Sequence, residues 1–235
     1  MVHSLRPVTR SPTAIAHRGD PVGALENTPA AFASAVSLGA DMVELDLRRT
    51  RDGAIVVLHD QSLLRLWGLD VSVGDLDWAD VARLGAGDVR IPLLREVLAE
   101  VSLPIMIDFV RREVVEGALA TVDEARALER SLFVSGNVAA LRLLRGLSSQ
   151  ARIGLTWTET GAVPFALLAE LGAECWNPTF GLVDAEAVAA VHESGLKVST
   201  WTVDSRDDME LVRHAGVDAI VSNRVADLLR FLRPG

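Results

Sequence analysis

This chain of 235 residues has one cysteine, one lysine and no long apolar run. Its one cysteine, Cys175, cannot close an intrachain disulfide, so the expected setting is a reducing cytoplasm and the expected thiol is buried and inert. No stretch reaches the ~18 consecutive apolar residues of a membrane-spanning helix, so no integral membrane segment is expected. Residues 1–13 carry Arg6, Arg10, Pro7 and Pro12 with no apolar run behind them, which reads as a short polar arm over 1–12 rather than a secretory signal. Positive charge is scarce as well. The 23 Lys+Arg face 32 Asp+Glu, a net charge of −9, which excludes a general attraction to nucleic acid but not a local anion site. Of the cations only Lys197 is lysine, a bias that reads as genome composition. With 49% hydrophobic and 23% charged residues, the chain reads as soluble and globular, neither disordered nor fibrous. At this length roughly 70% of the unfolded surface is buried on folding, enough for one core without a disulfide or structural metal.

Short β-branched or apolar runs recur along the chain with helical patterns between them, the signature of parallel βα units. Eight strands are expected, over 13–17, 42–48, 104–109, 132–135, 153–157, 174–177, 197–203 and 217–222. Helices are expected over 30–38, 93–101, 113–128, 138–147, 163–171, 185–193, 207–215 and 225–232. The first of these is the best bounded, with Thr28 as N-cap, Pro29 at the first helical position and Gly39 beyond the end. Eight such units predict a single α/β domain, a (β/α)₈ TIM barrel spanning 1–235. The competing doubly wound sheet lacks a Gly-rich dinucleotide turn. One run, 55–59, follows the second strand too closely for a crossover helix, and Asp52-Gly53 marks a hairpin that folds it back antiparallel. The Gly- and Asp-rich segment 60–90 then reads as an insertion over one end of the barrel, with Trp67 and Trp78 as candidates to cover substrate.

Chemistry in such a barrel sits at the C-terminal ends of its strands. There the sequence places His17, Glu44 and Asp46, Asp108, and His59 at the end of the folded-back run. Glu44 and Asp46 lie two apart on a strand and so share a face, opposite Leu45 and Leu47. A two-residue hairpin loop sets position 59 opposite 46, and a four-residue loop sets it opposite 44. The neighbouring third strand brings Asp108 to the same pocket. Three carboxylates at such range repel one another unless a cation neutralises them, and oxygen donors select Mg²⁺, Ca²⁺ or Mn²⁺ over Zn²⁺. His17-Arg18-Gly19 adds an imidazole, a guanidinium suited to phosphate oxygens, and a residue that permits a tight turn. With a metal and Arg18 on the phosphoryl oxygens and two histidines moving protons, the set suits cleavage of a phosphodiester.

These residues resemble the glycerophosphodiester phosphodiesterase family. His17-Arg18-Gly19, Glu26-Asn27-Thr28, Phe32 and Ala35, Glu44-Leu45-Asp46, Asp52-Gly53 and His59-Asp60 match its N-terminal signature in order and spacing. Ile91-Pro92-Leu93 with Val97-Leu98, the strand ending at Asp108, Trp201-Thr202-Val203-Asp204, and Gly216-Val217-Asp218-Ala219-Ile220 with Asn223-Arg224 resemble its later blocks, so the likeness covers nearly the whole chain. The resemblance implies a barrel, a divalent metal on Glu44, Asp46 and Asp108, and a histidine pair at His17 and His59. It also implies a small-molecule substrate, glycerol phosphate esterified to an alcohol such as choline or ethanolamine, cleaved to glycerol 3-phosphate and that alcohol.

Two positions depart from the family pattern. Its third metal position is usually Glu in a Glu-Ile-Lys block, whereas this chain reads Asp108-Phe109-Val110. Asp is the milder change, since related spider-venom phospholipases look similar there. Val110 removes a positive charge beside the phosphate, and Arg112 shares its face if the strand continues. Two alternatives follow: a phosphodiester-binding barrel with little turnover, and a phospholipase D-like relative acting on lysophospholipids. Trp201, at the end of the seventh strand, is placed to wall the pocket or stack under a cationic alcohol. Asn27-Thr28 fits a helix cap and a substrate contact equally, and His3, His192 and His214 read as surface residues.

Overall fold

The computed structural model describes residues 11–233, so His3 and most of the expected arm lie outside the described residues. Within them the chain runs β1 (Thr13–Ala16), α1 (Pro29–Leu38), β2 (Met42–Arg49) and β3 (Ile55–Val57). Next come α2 (Leu64–Trp67), α3 (Trp78–Val81) and a two-residue ribbon of β4 (Gly85–Ala86) and β5 (Val89–Arg90). The regular repeat then resumes with α4 (Leu94–Glu100), β6 (Ile105–Asp108), α5 (Val115–Glu124), β7 (Ser131–Ser135), α6 (Val138–Leu147) and β8 (Arg152–Trp157). It ends with α7 (Phe165–Leu171), β9 (Cys175–Pro178), α8 (Ala185–Glu193), β10 (Lys197–Thr200), α9 (Arg206–Ala215), β11 (Ala219–Ser222) and α10 (Val225–Leu232).

Eight strands pair in parallel in the ring order β1-β2-β6-β7-β8-β9-β10-β11, and β11 returns to β1. This is the expected (β/α)₈ barrel. Strand alternation sorts its residues into two apolar layers. Ile15, Met42, Met106, Leu132, Val134 and Val221 fill the inside. Leu45, Ile107, Phe133, Ile153 and Leu155 point outward and pack with Leu141, Leu144, Val188, Val212 and Leu228 of the helices. Inward positions one step beyond the inner layer are His17, Glu44 and Asp108, so the same parity that builds the core delivers the site to its mouth. The caps are those the sequence suggests: Thr28 Oγ1 accepts from Ala31 N at 3.3 Å, and Gly39 closes α1 at φ +87°. No helix among the described residues is long and apolar enough to cross a membrane.

Four local expectations change. The hairpin takes neither expected register: Leu47 pairs with Val57 and Arg49 with Ile55, around the three-residue loop Arg51-Asp52-Gly53. Gly53 sits at φ +94°, the left-handed end of such a loop, so Asp-Gly fills its last two positions instead of forming a two-residue turn. Pairing continues as far as Leu58 N donating to Asp46 O at 2.9 Å, and His59 lies just beyond the ladder. Second, β6 ends at Asp108 and Arg112 opens a 3₁₀ turn on the surface, which removes the basis for Arg112 sharing the face of Val110. Third, the helix expected over 113–128 ends at Glu124, where Arg126 turns left-handed (φ +53°) and Ala127 N closes on Val122 O. The segment after β3 gathers its own small cluster of Leu63, Val73 and Val81 with Val56, Leu58, Ile91 and Leu93. Fourth, Trp67 and Trp78 pack on this cluster and do not line the mouth.

Phe133 is fully buried and meets the edge of Phe109 with ring centroids 6.3 Å apart. Phe133→Ala is expected to cost about 3–5 kcal/mol of unfolding free energy, measured as a lower urea midpoint at unchanged slope.

Candidate active site

All seven residues singled out in the sequence, His17, Arg18, Glu44, Asp46, His59, Asp108 and Trp201, line one cavity of about 400 Å³ at the C-terminal mouth of the barrel. Its acidic floor follows from register. Asp46 of β2 stands directly beside Asp108 of β6, and Glu44 lies two residues below Asp46 on the same face. One carboxylate oxygen from each lies within 4.8 Å of the others. Oxygens bound to one hard cation at roughly 2.0–2.6 Å are at most about 5 Å apart, so the three fit a single divalent ion. Their protonation points the same way. Burial, then the charge of Asp46, pushes the Asp108 carboxyl up to about 7. Burial, then Asp46 and Asp108, holds Glu44 well above the usual carboxylate range. Such a cluster is complete only with positive charge among it.

Each histidine has one ring nitrogen tied. His17 Nδ1 lies 2.7 Å from Asn223 Oδ1, and Asn223 Nδ2 in turn donates to Asp204 Oδ2 at 2.8 Å. With its amide committed in that sense, Asn223 accepts from His17 Nδ1–H, which leaves Nε2 with the lone pair, 3.8 Å from Glu44 Oε2. Burial, then the Arg18 charge, holds the His17 pKa below the ordinary histidine value, which favours the neutral ring. His59 Nδ1 lies 2.6 Å from Asp60 Oδ1. Asp60 is held at about 2, chiefly by its bond from Arg65, so it stays ionised and accepts a hydrogen bond from the His59 Nδ1–H. Arg48, on the inward face of β2 beyond Asp46, donates its guanidinium to Leu47 O and His59 O and pins the backbone of His59.

Arg18 occupies the left-handed region at φ +57° and is followed by Gly19 at φ +81°. A Cβ at 19 would come within 2.6 Å of Ala31 C, so α1 packs here only against glycine. The turn aims Arg18 N at Glu44 Oε2 (2.9 Å) and its Nη1 at Glu26 Oε1 (2.9 Å), with Nε 3.2 Å from Asp46 Oδ2. Asn27 Nδ2 also donates to Asp46 Oδ2 at 2.8 Å, so it orients a candidate metal ligand as well as preceding the Thr28 cap. Trp201 Nε1 is anchored on Asn177 O at 3.0 Å. Val110 lines the pocket and is 54% exposed, while Arg112 stays outside it. Sequence reasoning missed Asp204 and Asn223 behind His17, and Asp60, Arg65 and Arg48 behind His59. Asp60, Asp204 and Asn223 stand within the motifs quoted above and were given no role there, whereas Arg48 and Arg65 lie outside those motifs. Cys175 is buried with its thiol pushed up to about 12, and His192 and His214 are exposed on helices, as expected.

Asp108 holds its proton to about pH 7 when folded against an ordinary value of 3.8, so between these the folded chain binds more protons and stability falls as pH rises. In metal-free protein, Asp108→Asn should therefore gain in Tm relative to the parent as pH rises from about 4 to 7, and level off above. Ca²⁺ or Mg²⁺ should then raise the parent's Tm more than the variant's.

The sequence pattern of the Glycerophosphoryl diester phosphodiesterase family matches residues 17–227. The chain is 32% identical to the glycerophosphodiester phosphodiesterase of Caldanaerobacter subterraneus subsp. tengcongensis, over 94% of its own length and 98% of that protein's. It superposes on a glycerophosphodiester phosphodiesterase of Agrobacterium tumefaciens with a TM-score of 0.80 and 25% identity, covering 94% of this chain and 100% of that one. An Oleispira antarctica phosphodiesterase, solved in complex with the product sn-glycerol-3-phosphate, superposes with a TM-score of 0.85 at 24% identity, covering 94% and 96%. A family pattern spanning most of the barrel, and a relative alike from end to end, establish that this chain belongs to the glycerophosphodiester phosphodiesterase family of enzymes.

Proposed function

We propose that the chain hydrolyses glycerophosphodiesters to glycerol 3-phosphate and an alcohol, with a divalent cation on Glu44, Asp46 and Asp108, Arg18 on the phosphoryl oxygens, and His17 and His59 moving protons. One observation carries this reading: three close carboxylates, a guanidinium and two imidazoles with tied Nδ1 atoms face one cavity. A cation bound by the acids supplies Lewis-acid polarisation of a phosphoryl oxygen. Arg18 presents a planar fork to the same group, and its attachments to Glu44, Asp46 and Glu26 hold it there before substrate arrives.

Neutral His17 has the lone pair on Nε2 to take the proton of the attacking hydroxyl, either water or the neighbouring glycerol hydroxyl of the substrate. As the new P–O bond forms, the bond from phosphorus to the departing alcohol breaks, and protonated His59 supplies the proton that alkoxide needs. If the glycerol hydroxyl attacks, a cyclic phosphate forms first and water opens it. Trp201 walls the pocket beside this exchange. The product is the molecule held by the Oleispira phosphodiesterase.

A second reading, phosphodiester binding with little turnover, draws on Val110, which leaves an aliphatic side chain at the pocket where the family pattern has lysine. An assay of glycerol 3-phosphate release decides between them. Turnover is expected with Mg²⁺ or Ca²⁺ and none with EDTA; metal-independent turnover would contradict the proposal. His17→Ala and His59→Ala should each lower kcat roughly 10²- to 10⁴-fold. Val110→Lys is expected to raise kcat/KM if the site is complete but short of one charge, and to leave an inactive protein unchanged if the chain only binds.

A further inference from the structure

We propose that Arg65, on the one-turn helix α2 outside the barrel repeat, is a positioning residue that aims two groups of the reaction at once, the guanidinium of Arg18 and the imidazole of His59. This rests on the roles given to those two residues above.

Arg65 commits three donors. Its Nη1 and Nη2 bond both oxygens of Glu26, at 3.0 and 2.7 Å, and its Nε bonds Asp60 Oδ2 at 2.5 Å. Each carboxylate passes the constraint on. Glu26 Oε1 also accepts from Arg18 Nη1 at 2.9 Å, and the other oxygen of Asp60 accepts from His59 Nδ1 at 2.6 Å. One guanidinium therefore joins the loop after β1 to the loop after β3, and no other described side chain bonds both carboxylates.

The arrangement is suited to direction more than to cohesion. The Arg65 side chain is 47% exposed, and ion pairs that wet add little to stability. A planar fork, by contrast, fixes the plane of each carboxylate it meets. The ring of His59 needs such fixing, because Arg48 holds only its backbone carbonyl. The place of Arg65 is set in turn by the small apolar cluster, in which Leu63 is buried and against which Trp67 packs at either end of α2. The inserted segment thereby reaches the chemistry through Asp60 and Arg65, although neither of its tryptophans touches the pocket.

Kinetics of Arg65→Gln, alone and combined with Asp60→Asn or Glu26→Gln, test this, with His59→Ala as reference. Arg65→Gln should lower kcat roughly 10- to 100-fold, as small misplacements of reacting groups do, and raise KM several-fold, while Tm moves by no more than about 4 °C. On the Asp60→Asn background it should lower kcat no further but still raise KM. On the Glu26→Gln background it should raise KM no further but still lower kcat. Arg65→Lys, which keeps the charge but loses the fork, should recover little of kcat. Parental kinetics in Arg65→Gln, or losses that add fully on both backgrounds as a merely structural defect would, overturn the inference. Should His59→Ala keep full activity, the role of His59 fails instead. The same variants are then read by affinity for glycerol 3-phosphate and by the NMR resonance of the His59 Nδ1 proton. Arg65→Gln must weaken the first and shift the second, and no change in either overturns the inference without reference to turnover.

Discussion

Mutual repulsion among Glu44, Asp46 and Asp108 is the constraint around which the rest of the site is organised. One oxygen from each of three carboxylates lies within 4.8 Å of the others, and burial with this proximity raises the proton affinity of Glu44 and Asp108. Nothing local relieves them fully. Arg18 and Asn27 reach Asp46, and the Arg18 backbone reaches Glu44, yet Asp108 remains among like charges. The fold holds these groups together because strand parity and the β2–β6 register leave their side chains no other direction. A site assembled against its own electrostatics in this way is suited to bind a cation and, beyond it, an anion.

The histidines obey a different constraint, that of orientation. Behind each ring stands a carboxylate, reached through Asn223 at His17 and directly at His59. Both arrangements tie Nδ1 and leave Nε2 as the atom for the proposed proton transfers. They differ in support. Asn223 directly follows barrel strand β11 and Asp204 lies in the loop after β10, whereas Asp60 belongs to the segment outside the repeat. One histidine is therefore placed by the barrel and the other by its insertion.

This division decides what was legible in the sequence. Parity along a strand is visible in the letters, so Glu44, Asp46 and Asp108 were placed together, and with them the eight strands of the ring. Register across a hairpin is not visible, because Asp52-Gly53 serves a two-residue turn and the end of a three-residue loop equally well; His59 reached the pocket by leaving the ladder, not by pairing across it. The continuation of β6 toward Arg112 also relied on parity, which carries no information once the strand stops. Contacts such as Arg65 with Glu26 span 39 positions and join two loops, and no periodicity announces them. What packs on a lattice of strands can be read; what two loops do on meeting cannot.

The same distinction bears on Val110. The family lysine would bring a mobile positive charge to the pocket wall, and the nearest substitute by strand parity is Arg48, two residues beyond Asp46. Burial lowers the proton affinity of Arg48, while Asp46 and Asp108 act to raise it, so its field does reach the acids. Its hydrogen bonds, however, go to Leu47 O and His59 O, and it does not line the cavity. Arg48 thus eases repulsion among the carboxylates without being able to touch a phosphoryl oxygen. In the proposed reaction, contact with the anion falls to Arg18 and to the cation the acids would hold, which makes the direction of the Arg18 guanidinium matter more here than in a site with two cationic side chains.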